Sequence, residues 1–597
     1  MTITRERGEA KAAPAPTTTA TAAPAHPHAA LLASWEGTRT RGADAVCRAL
    51  IEEGVETVFG YPGGAVIPLY DAIPRYPFHH VLVRHEQMAA HMADGYARAT
   101  GKVGVCMATS GPGATNLVTG IAAAMMDSSP MVAITGNVTR HLIGKDGFQE
   151  TDIIGVTLPV TKHNFFCATV EEILPTLKKA FHIARTGRPG PVLVDIPKDC
   201  FNEEVTYSYP KTVVLPGYKP TITPNQRQIR NAAKLVREAR KPLIIAGQGV
   251  ILAGAAAELR ELAEKAHIPV VHTWLGLGGF PADHPLAMGM LGMHGFAHTN
   301  RAVNRCDLLI AVGMRFDDRA TGRLASFARN AKIVHMDIDP AEIGKNVRAD
   351  VPVVGDAKES LRLLADELER ARHDDWLSEI DKLIETHPYR VVKDGPGDPA
   401  LSAQYVIDRL SVRTDDAAII ASDVGQHQMW TAQYYRFNTP RQNITSGGSG
   451  AMGFGLPAAM GAQAGKPDAE VWCVVGDGGF QMSLHELATC MQEGYAVKIA
   501  VINNGFLGMV RQWQDLFHGR NRSATPITGP DLVKLGEAYA VPARRVTTHA
   551  DVDAAIAWAQ ATPGPVLIDF QCEREANVYP MVPPGGSNEE MVYGDPE

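Results

Sequence analysis

The chain has 597 residues, of which 45% are hydrophobic and 20% are charged. This composition is ordinary for a soluble enzyme, and the length is too great for a single hydrophobic core. The formal net charge of −8 argues against a nucleic acid or an anionic membrane as a partner, because both require basic patches. The eight cysteines are scattered without a Cys-x-x-Cys pair, so we expect buried thiols in the reducing cytoplasm rather than disulfides.

Residues 1–37 are rich in Ala, Pro and Thr and contain no apolar core. This composition predicts a disordered N-terminal tail. A transit peptide is disfavoured because the segment contains Glu6 and Glu9 and almost no Ser.

Three blocks of alternating strands and helices follow the tail, and such alternation predicts parallel sheets that are covered by helices on both faces. The blocks span residues 38–205, 225–390 and 400–580. A Pro-rich linker separates the first two blocks, a Gly/Pro break precedes the third, and residues 581–597 form a C-terminal tail. We therefore predict an α/β fold with three doubly wound parallel-sheet domains.

The first block contains the longest charge-free stretch, from Val103 to Met126. Its length suits a membrane span, but Ser110-Gly111-Pro112-Gly113 interrupts it. We therefore predict a buried strand, a loop and a helix, and no membrane partner. Two further features lie at predicted strand ends. In isolation, the loop Tyr61-Pro62-Gly63 is a tight turn and Glu86 is an acid at a helix start.

The second block opens with Gly247-Gln248-Gly249 after a strand. The spacing is Gly-x-Gly-x-x-x-Ala rather than the Gly-x-Gly-x-x-Gly of dinucleotide-binding folds. No acidic residue ends a strand about twenty residues later, where a ribose contact would be expected. Asp337 ends a strand, but much further on. As a dinucleotide fingerprint the motif is weak.

The third block holds the most informative pair of motifs. Two β-branched apolar runs predict buried strands that end at Gly476-Asp477-Gly478-Gly479 and at Asn503-Asn504. Because ligands lie beyond the carboxyl ends of parallel strands, Asp477 and Asn504 are expected to share one ligand. Carboxylate and amide oxygens suit magnesium, and the glycines admit a phosphate. The first motif alone is an ordinary strand-to-helix turn, but the second motif at this spacing favours the magnesium site.

Several further motifs carry a family resemblance over roughly residues 42–520. They are Gly60-Tyr61-Pro62-Gly63-Gly64-Ala65, Phe148-Gln149-Glu150-Thr151, Arg188-Pro189-Gly190-Pro191, Leu291-Gly292-Met293-His294-Gly295, Arg315-Phe316-Asp317-Asp318-Arg319 and Gly508-Met509-Val510-Arg511-Gln512-Trp513. Together with the two motifs of the third block, they resemble the catalytic subunit of the acetohydroxyacid synthase (acetolactate synthase) family of thiamine-diphosphate enzymes.

The resemblance implies an activity and three cofactors. Pyruvate would be decarboxylated on thiamine diphosphate, and the hydroxyethyl unit would be joined to pyruvate or 2-ketobutyrate, giving 2-acetolactate or 2-aceto-2-hydroxybutyrate for valine, leucine and isoleucine biosynthesis. Mg²⁺ and FAD are the other implied cofactors. Pyruvate oxidase, a catabolic acetolactate synthase without FAD and glyoxylate carboligase are alternatives on the same scaffold, and an inactive cofactor-binding protein is an alternative of another class. Glu86 disfavours the carboligase, and Arg319 with Trp513 disfavours the first two.

The resemblance also implies residue roles. Glu86 would activate the cofactor, and Met452 would force its bent conformer. Arg319 would pair with the carboxylate of the second substrate. Trp513 would favour 2-ketobutyrate, although from composition alone it is a core aromatic. Gln149 and Lys198 would line the active site.

The implied cofactor contacts extend this set. For thiamine diphosphate they are Tyr61, Pro62, Gly63, Glu86, Gln426, His427, Gly450, Met452, Asp477, Gly478, Gly479 and Asn504. For magnesium they are Asp477, Asn504 and the carbonyl of Phe506. For FAD they are Arg188, Gly247, Gly249, His294, Arg315, Asp337 and Asp356.

The resemblance finally implies partners. In this family the loops that carry Glu86 and Asp477 meet across a subunit interface, so a homodimer or homotetramer is expected. Because no regulatory domain is appended to the chain, a separate regulatory small subunit is expected as well.

Overall fold

The structure of the protein, a computed structural model, describes residues 28–388, 390, 392, 395 and 397–594. It contains three six-stranded sheets, and neighbouring strands within each of them are parallel. Their strands are almost entirely buried, because helices cover both faces of each sheet. The predicted three-domain α/β fold is confirmed. In the described part of the chain, no helix combines the length and the apolar character that crossing a membrane requires.

The first block carries a sheet of order β3-β2-β4-β5-β7-β6 and a short antiparallel pair, β1 with β8. Its strands are β1 (Arg39–Arg41), β2 (Thr57–Gly60), β3 (His79–Leu82), β4 (Gly104–Ala108), β5 (Met131–Asn137), β6 (His163–Phe166), β7 (Pro191–Pro197) and β8 (Glu204–Thr206). Its helices are α1 (Ala29–Trp35), α2 (Gly42–Glu52), α3 (Ile67–Ala72), α4 (Glu86–Thr100), α5 (Pro112–Asn116), α6 (Val118–Met126), α7 (Ile153–Thr157), α8 (Ile173–Arg185) and α9 (Lys198–Asn202).

The second block carries a sheet of order β11-β10-β9-β12-β13-β14. Its strands are β9 (Pro242–Ala246), β10 (Val270–His272), β11 (Ala287–Met290), β12 (Leu308–Val312), β13 (Lys332–Asp337) and β14 (Val351–Val354). Its helices are α10 (Gln226–Glu238), α11 (Gln248–Leu252), α12 (Ala256–Ala266), α13 (Ala297–Arg305), α14 (Asp318–Thr321), α15 (Ala357–Asp366) and α16 (Asp374–Thr386). This strand order is that of dinucleotide-binding folds, with the topological switch between β9 and β12.

The third block carries a sheet of order β16-β15-β17-β18-β20-β19. Its strands are β15 (Ile419–Ser422), β16 (Asn443–Thr445), β17 (Val471–Gly476), β18 (Lys498–Asn503), β19 (Ala543–Val546) and β20 (Val566–Gln571). Its helices are α17 (Ala403–Arg413), α18 (Gln426–Tyr434), α19 (Gly455–Gly465), α20 (Asp477–Ser483), α21 (Leu487–Glu493), α22 (Gly508–Phe517), α23 (Leu532–Ala538) and α24 (His549–Ala561). Numbered within their own six-stranded sheets, the strands of the first and third blocks follow the same order.

Both predicted tails differ from expectation where the structure describes them. Residues 1–27 lie outside the described residues, but Ala29–Trp35 form α1. This helix places Leu32 and Trp35 against the first core, where the Trp35 ring lies 5.8 Å from that of Tyr76. At the other end, Met581 and Val582 are buried, and Val582 N–H donates to the Met293 carbonyl of the second block at 2.8 Å. Apolar side chains therefore order both segments.

Helices α4 and α19 join the first and third blocks. A Cβ on Gly95 would overlap the Ala458 carbonyl, and a Cβ on Gly461 would overlap the Met92 carbonyl, so the two backbones are in direct contact. On the same helix α4, buried Arg98 donates to Asp94 and also to Asp127, both at 2.7 Å. The glycines permit the close approach, and the ion cluster orients it.

Replacing Gly461 with Ala is expected to destabilise the fold. Overlap with a packed backbone costs about 1–3 kcal/mol, which exceeds the gain of about 1 kcal/mol in helix propensity. The apparent Tm should therefore fall. It must be compared at one fixed scan rate, because a chain of this size unfolds irreversibly. The control is Gly217→Ala, since a Cβ on Gly217 would meet nothing within 4 Å. Equal Tm values for the two variants would contradict the direct backbone contact.

Candidate active site

The predicted magnesium ligands lie at adjacent strand ends, because β17 pairs with β18 in register Gly476↔Ile502. Burial raises the pKa of the Asp477 carboxyl to about 6, and the nearby backbone N–H groups partly oppose this rise. The Asn504 Oδ1 accepts from the Phe506 N–H at 3.1 Å. Among the described residues, no cluster of His, Cys, Asp and Glu could hold a metal ion. A magnesium site here would use one carboxylate together with amide and carbonyl oxygens. Phosphate oxygens and water would complete the coordination shell of the ion.

The predicted diphosphate residues surround this edge. His427 Nε2 accepts from the Gly476 N–H at 3.2 Å, and burial lowers the His427 pKa to about 3, so the ring is neutral. The Gln426 Oε1 accepts from Asn504 Nδ2 at 3.3 Å. A Cβ on Gly478 would lie 3.6 Å from Met452 Cε, so the predicted Met452 wedge lies over the glycine turn.

Asp423 organises the loop that carries Met452, and the sequence analysis missed it. Its carboxylate accepts the N–H groups of Val424 at 2.8 Å, Gly453 at 3.1 Å and Gly455 at 2.7 Å. Gly479 lies directly against it. Burial raises the Asp423 pKa to about 6. In the sequence, Asp423 directly follows a strand and precedes Gln426 and His427. This position could have identified it as a residue of the site.

The first block supplies a second group of predicted residues. Half-buried Glu86 begins α4, and its Oε2 accepts from Asn116 Nδ2 at 2.9 Å. Gly63 lies against Thr109, whose hydroxyl accepts the Ala65 N–H at 3.1 Å. The neighbouring Tyr61 and Pro62 are exposed.

The other two predicted residues of this block lie at the same edge of the first sheet. Gln149 contacts Gly111 at the end of the β4 turn, and Lys198 begins α9 directly after β7. Residues 61–63, Glu86, Gln149 and Lys198 therefore lie together at one edge of the first sheet, and we call this group the Glu86 half-site.

Glu486 supports the helix start at Glu86 from the third block, and it was also missed. This fully buried carboxylate accepts the N–H groups of Arg84 at 2.8 Å and His85 at 3.2 Å. These donors directly precede α4. At the N-terminal end of a helix, the backbone N–H groups have no intrahelical partners. The third block thereby positions the backbone that carries Glu86. Sequence alone offers no signal for this contact, because about four hundred residues separate the partners.

A cavity of about 940 Å³ lies at the switch between β9 and β12. Six residues predicted to contact FAD line it, namely Arg188, Gly249, His294, Arg315, Asp337 and Asp356. Gly247 lies behind the wall, where any Cβ at this position would overlap the Gly313 carbonyl. Burial raises the Asp337 pKa to about 6 and lowers that of His294 to about 4.

The mouth of this cavity brings together the two residues predicted to bind the second substrate. Arg319, Trp513 and Gly450 all line it. The Arg319 guanidinium lies 5.9 Å from the centre of the Trp513 ring. Glu86 does not line the cavity within the described chain. One chain therefore carries two separate groups of predicted residues, the Glu86 half-site on the first block and the magnesium and diphosphate residues of the third block, here called the Asp477 half-site. The Asp477 half-site adjoins this cavity through Gly450, whereas Asp477 itself lines a separate cavity of about 250 Å³.

This fold with paired half-sites at strand ends defines the class of thiamine pyrophosphate (TPP, thiamine diphosphate) enzymes. Three models of that class match the chain: the N-terminal TPP binding domain at residues 40–156, the central domain at residues 229–364 and the C-terminal TPP binding domain at residues 423–570.

Comparison with curated relatives identifies one family within this class of enzymes. An acetolactate synthase of Mycobacterium bovis is 52% identical over 567 residues, covering 92% of this chain and 91% of the relative. The acetolactate synthase large subunit of Corynebacterium glutamicum is 52% identical, covering 93% and 90%. A probable acetolactate synthase large subunit of Methanocaldococcus jannaschii is 50% identical, covering 92% and 94%. The chain belongs to the acetolactate synthase large-subunit family.

Replacing Asp423 with Asn should loosen the Met452 loop. An amide has one acceptor oxygen, so its NH₂ group would face a backbone donor and leave a buried N–H unpaired, at a cost of about 1–3 kcal/mol. We expect a lower apparent Tm and faster limited proteolysis between residues 446 and 455. The exposed Asp468→Asn is the matched control. Unchanged proteolysis of that loop would show that Asp423 does not hold it.

Proposed function

We propose that the chain decarboxylates pyruvate and joins the hydroxyethyl unit to pyruvate or 2-ketobutyrate, giving 2-acetolactate or 2-aceto-2-hydroxybutyrate for branched-chain amino acid biosynthesis. The observation that carries this proposal is the pairing of Arg319 with Trp513 at the mouth of the cavity, beside Gly450. A guanidinium suits a planar carboxylate, and an indole suits the aliphatic end of a keto acid. The names of the relatives support the same activity.

The Asp477 half-site suits the diphosphate of the cofactor and its magnesium ion. Asp477, Asn504 and the Phe506 carbonyl would hold the ion, and Gln426, His427, Gly478 and Gly479 would hold the diphosphate. Bound thiamine diphosphate would supply the electron sink for decarboxylation and for transfer of the hydroxyethyl unit. Met452 lies beside Gly478, where it would support the thiazolium ring.

The Glu86 half-site suits the pyrimidine end of the cofactor. Glu86 Oε2 is oriented by Asn116, which leaves its other oxygen to exchange a proton with the pyrimidine ring. Tyr61, Pro62 and Gly63 would cover that ring. Gln149 and Lys198 would line the substrate space on the same side.

The cavity of about 940 Å³ suits FAD in size, since cofactor pockets range up to roughly 1,000 Å³. Its position also supports this assignment, because the switch point of an open α/β sheet is where dinucleotides bind. Arg188 lines the wall, and its Nη1 donates to Glu342 at 2.7 Å. The glycine spacing remains unlike that of Rossmann domains, so the mode of binding would differ.

We further propose that two or more copies assemble, with the Glu86 half-site of one subunit completing the Asp477 half-site of its partner. Exposed apolar residues beside both half-sites support this assembly, including Phe148 at 87% exposure and Met482 at 48%. A regulatory small subunit remains an expectation from the family. All eight cysteines are buried and free, which supports a cytoplasmic location.

A product assay tests the activity. Purified chain, pyruvate and 2-ketobutyrate at equal concentrations, Mg²⁺, thiamine diphosphate and FAD should yield acetohydroxybutyrate in excess over acetolactate, because Trp513 contacts the additional methyl group. Omitting any one cofactor should lower the rate. Acetate or acetaldehyde as the main product would assign the chain to the oxidase or decarboxylase alternative.

A complementation experiment tests the shared site. Glu86→Gln should lower the rate about a hundredfold or more while thiamine diphosphate still binds, and Asp477→Asn should abolish magnesium-dependent activity. A mixed dimer retains one intact site, so equal co-expression should restore roughly a quarter of the activity. The surface variant Glu261→Gln is the control for Glu86→Gln. A mixture as inactive as each variant alone would place both half-sites within one chain.

A further inference from the structure

The C-terminal segment, defined here as residues 576–592, runs from the third block across to the second. Near its start, Ala576 O accepts from Gln426 Nε2 at 2.9 Å. Val578, Met581 and Val582 are almost fully buried. At the far end, Met581 and Val592 pair as an antiparallel bridge. The segment is therefore an integral part of the fold on both sides of the cavity mouth.

Gln512 attaches helix α22 to this segment. The side chain is fully buried, its Oε1 accepts the Val578 N–H at 2.8 Å, and its Nε2 donates to the Val578 carbonyl at 3.1 Å. The same oxygen accepts from Gln426 Nε2 at 2.9 Å. The Gln512 amide on α22 thus hydrogen-bonds both to the C-terminal segment and to Gln426, one of the predicted diphosphate residues.

Elsewhere, helix α22 is held by Met509, which packs against the third-block core, and by Gln514, which bonds to Ser523 and Thr525. Of its ten residues, only Arg511 and Gln512 are buried. Arg511 also donates to the Ala576 carbonyl of the segment at 2.5 Å and to the preceding Glu575 carbonyl at 3.1 Å. Val510 on the same helix is 51% exposed. The position of Trp513, which directly follows Gln512, therefore depends on the segment.

The same segment holds the opposite side of the mouth. Val582 N–H donates to the Met293 carbonyl at 2.8 Å, and Met293 N–H donates to the Arg319 carbonyl at 2.8 Å. Asn588 Nδ2 donates to the Ala320 carbonyl at 3.0 Å, within the four-residue helix α14 that carries Arg319. Ser587 forms a bridge with Gly322 directly after that helix.

We propose that the C-terminal segment sets the separation of Trp513 from Arg319, and that Gln512 and Asn588 are positioning residues for the choice of the second keto acid. The proposal rests on the proposed function, since it assigns the acceptor to this mouth. Neither Gln512 nor Asn588 is proposed to contact the acceptor. Gln512 acts through Trp513, and Asn588 acts through Arg319.

Gln512→Leu should shift the product ratio. Losing the amide removes both hydrogen bonds to Val578 and leaves Arg511 to hold α22 to the segment, so Trp513 shifts and loses its contact with the additional methyl group of 2-ketobutyrate. The ratio of acetohydroxybutyrate to acetolactate at equal substrate concentrations should fall at least about threefold, within the range that one methylene contributes to discrimination. The control is Gln514→Leu on the same helix. This residue bonds to Ser523 and Thr525 rather than to the segment, and the ratio should not change.

Asn588→Ala provides an independent variant, because it leaves Gln426 and the diphosphate side intact. It should lower the same ratio with unchanged affinity for thiamine diphosphate. A purely structural role would lower Tm and total product while leaving the ratio unchanged, and that result in both variants would overturn the inference. An unmodified chain with no preference between the two acceptors would overturn it too. If the unmodified chain forms neither acetohydroxy acid, the proposed function itself fails.

Discussion

The contact between α4 and α19 is the constraint on which the rest of the structure depends. Gly95 and Gly461 allow the two backbones to touch, and the cluster of Arg98 with Asp94 and Asp127 orients them. Asp127 also accepts the N–H groups of Gly447 and Gly448. Since α4 begins at Glu86 and α19 follows the Met452 loop, the crossing fixes the position of Glu86 relative to that loop within one chain.

Backbone amides, rather than opposite charges, stabilise the buried acids around the site. Asp423 accepts three backbone N–H groups, and Glu486 accepts two. A buried carboxylate without such donors would be strongly destabilising. Amides held in strands and helix starts move little, so these acids define the loop geometry before any ligand binds. This explains how a site made of several loops stays organised.

Local sequence predicted some elements closely and others poorly. Leu308–Val312 and Lys498–Asn503 were identified as strands because each is an uninterrupted apolar run in a parallel sheet. The stretch from Glu359 to Ile384 is charged and helical in its pattern, yet the structure has two helices there, α15 and α16, with a break between them. At that break Leu368 enters the core and Ala371 N–H donates to the Lys265 carbonyl. A tertiary contact therefore overrides the local helical pattern.

The sequence by itself determined the strand-end residues of this protein, because Asp477, Asn504 and Glu86 each follow an apolar run that must be buried. Their motifs also indicated the class of cofactor. Only the tertiary structure decided which distant groups support them: Glu486 behind Arg84 and His85, Asp423 beneath the Met452 loop, and the C-terminal segment beside Gln512. Those partners are joined by hydrogen bonds between residues that are 32, 66 and 402 positions apart, and such contacts leave no periodic pattern in a single sequence.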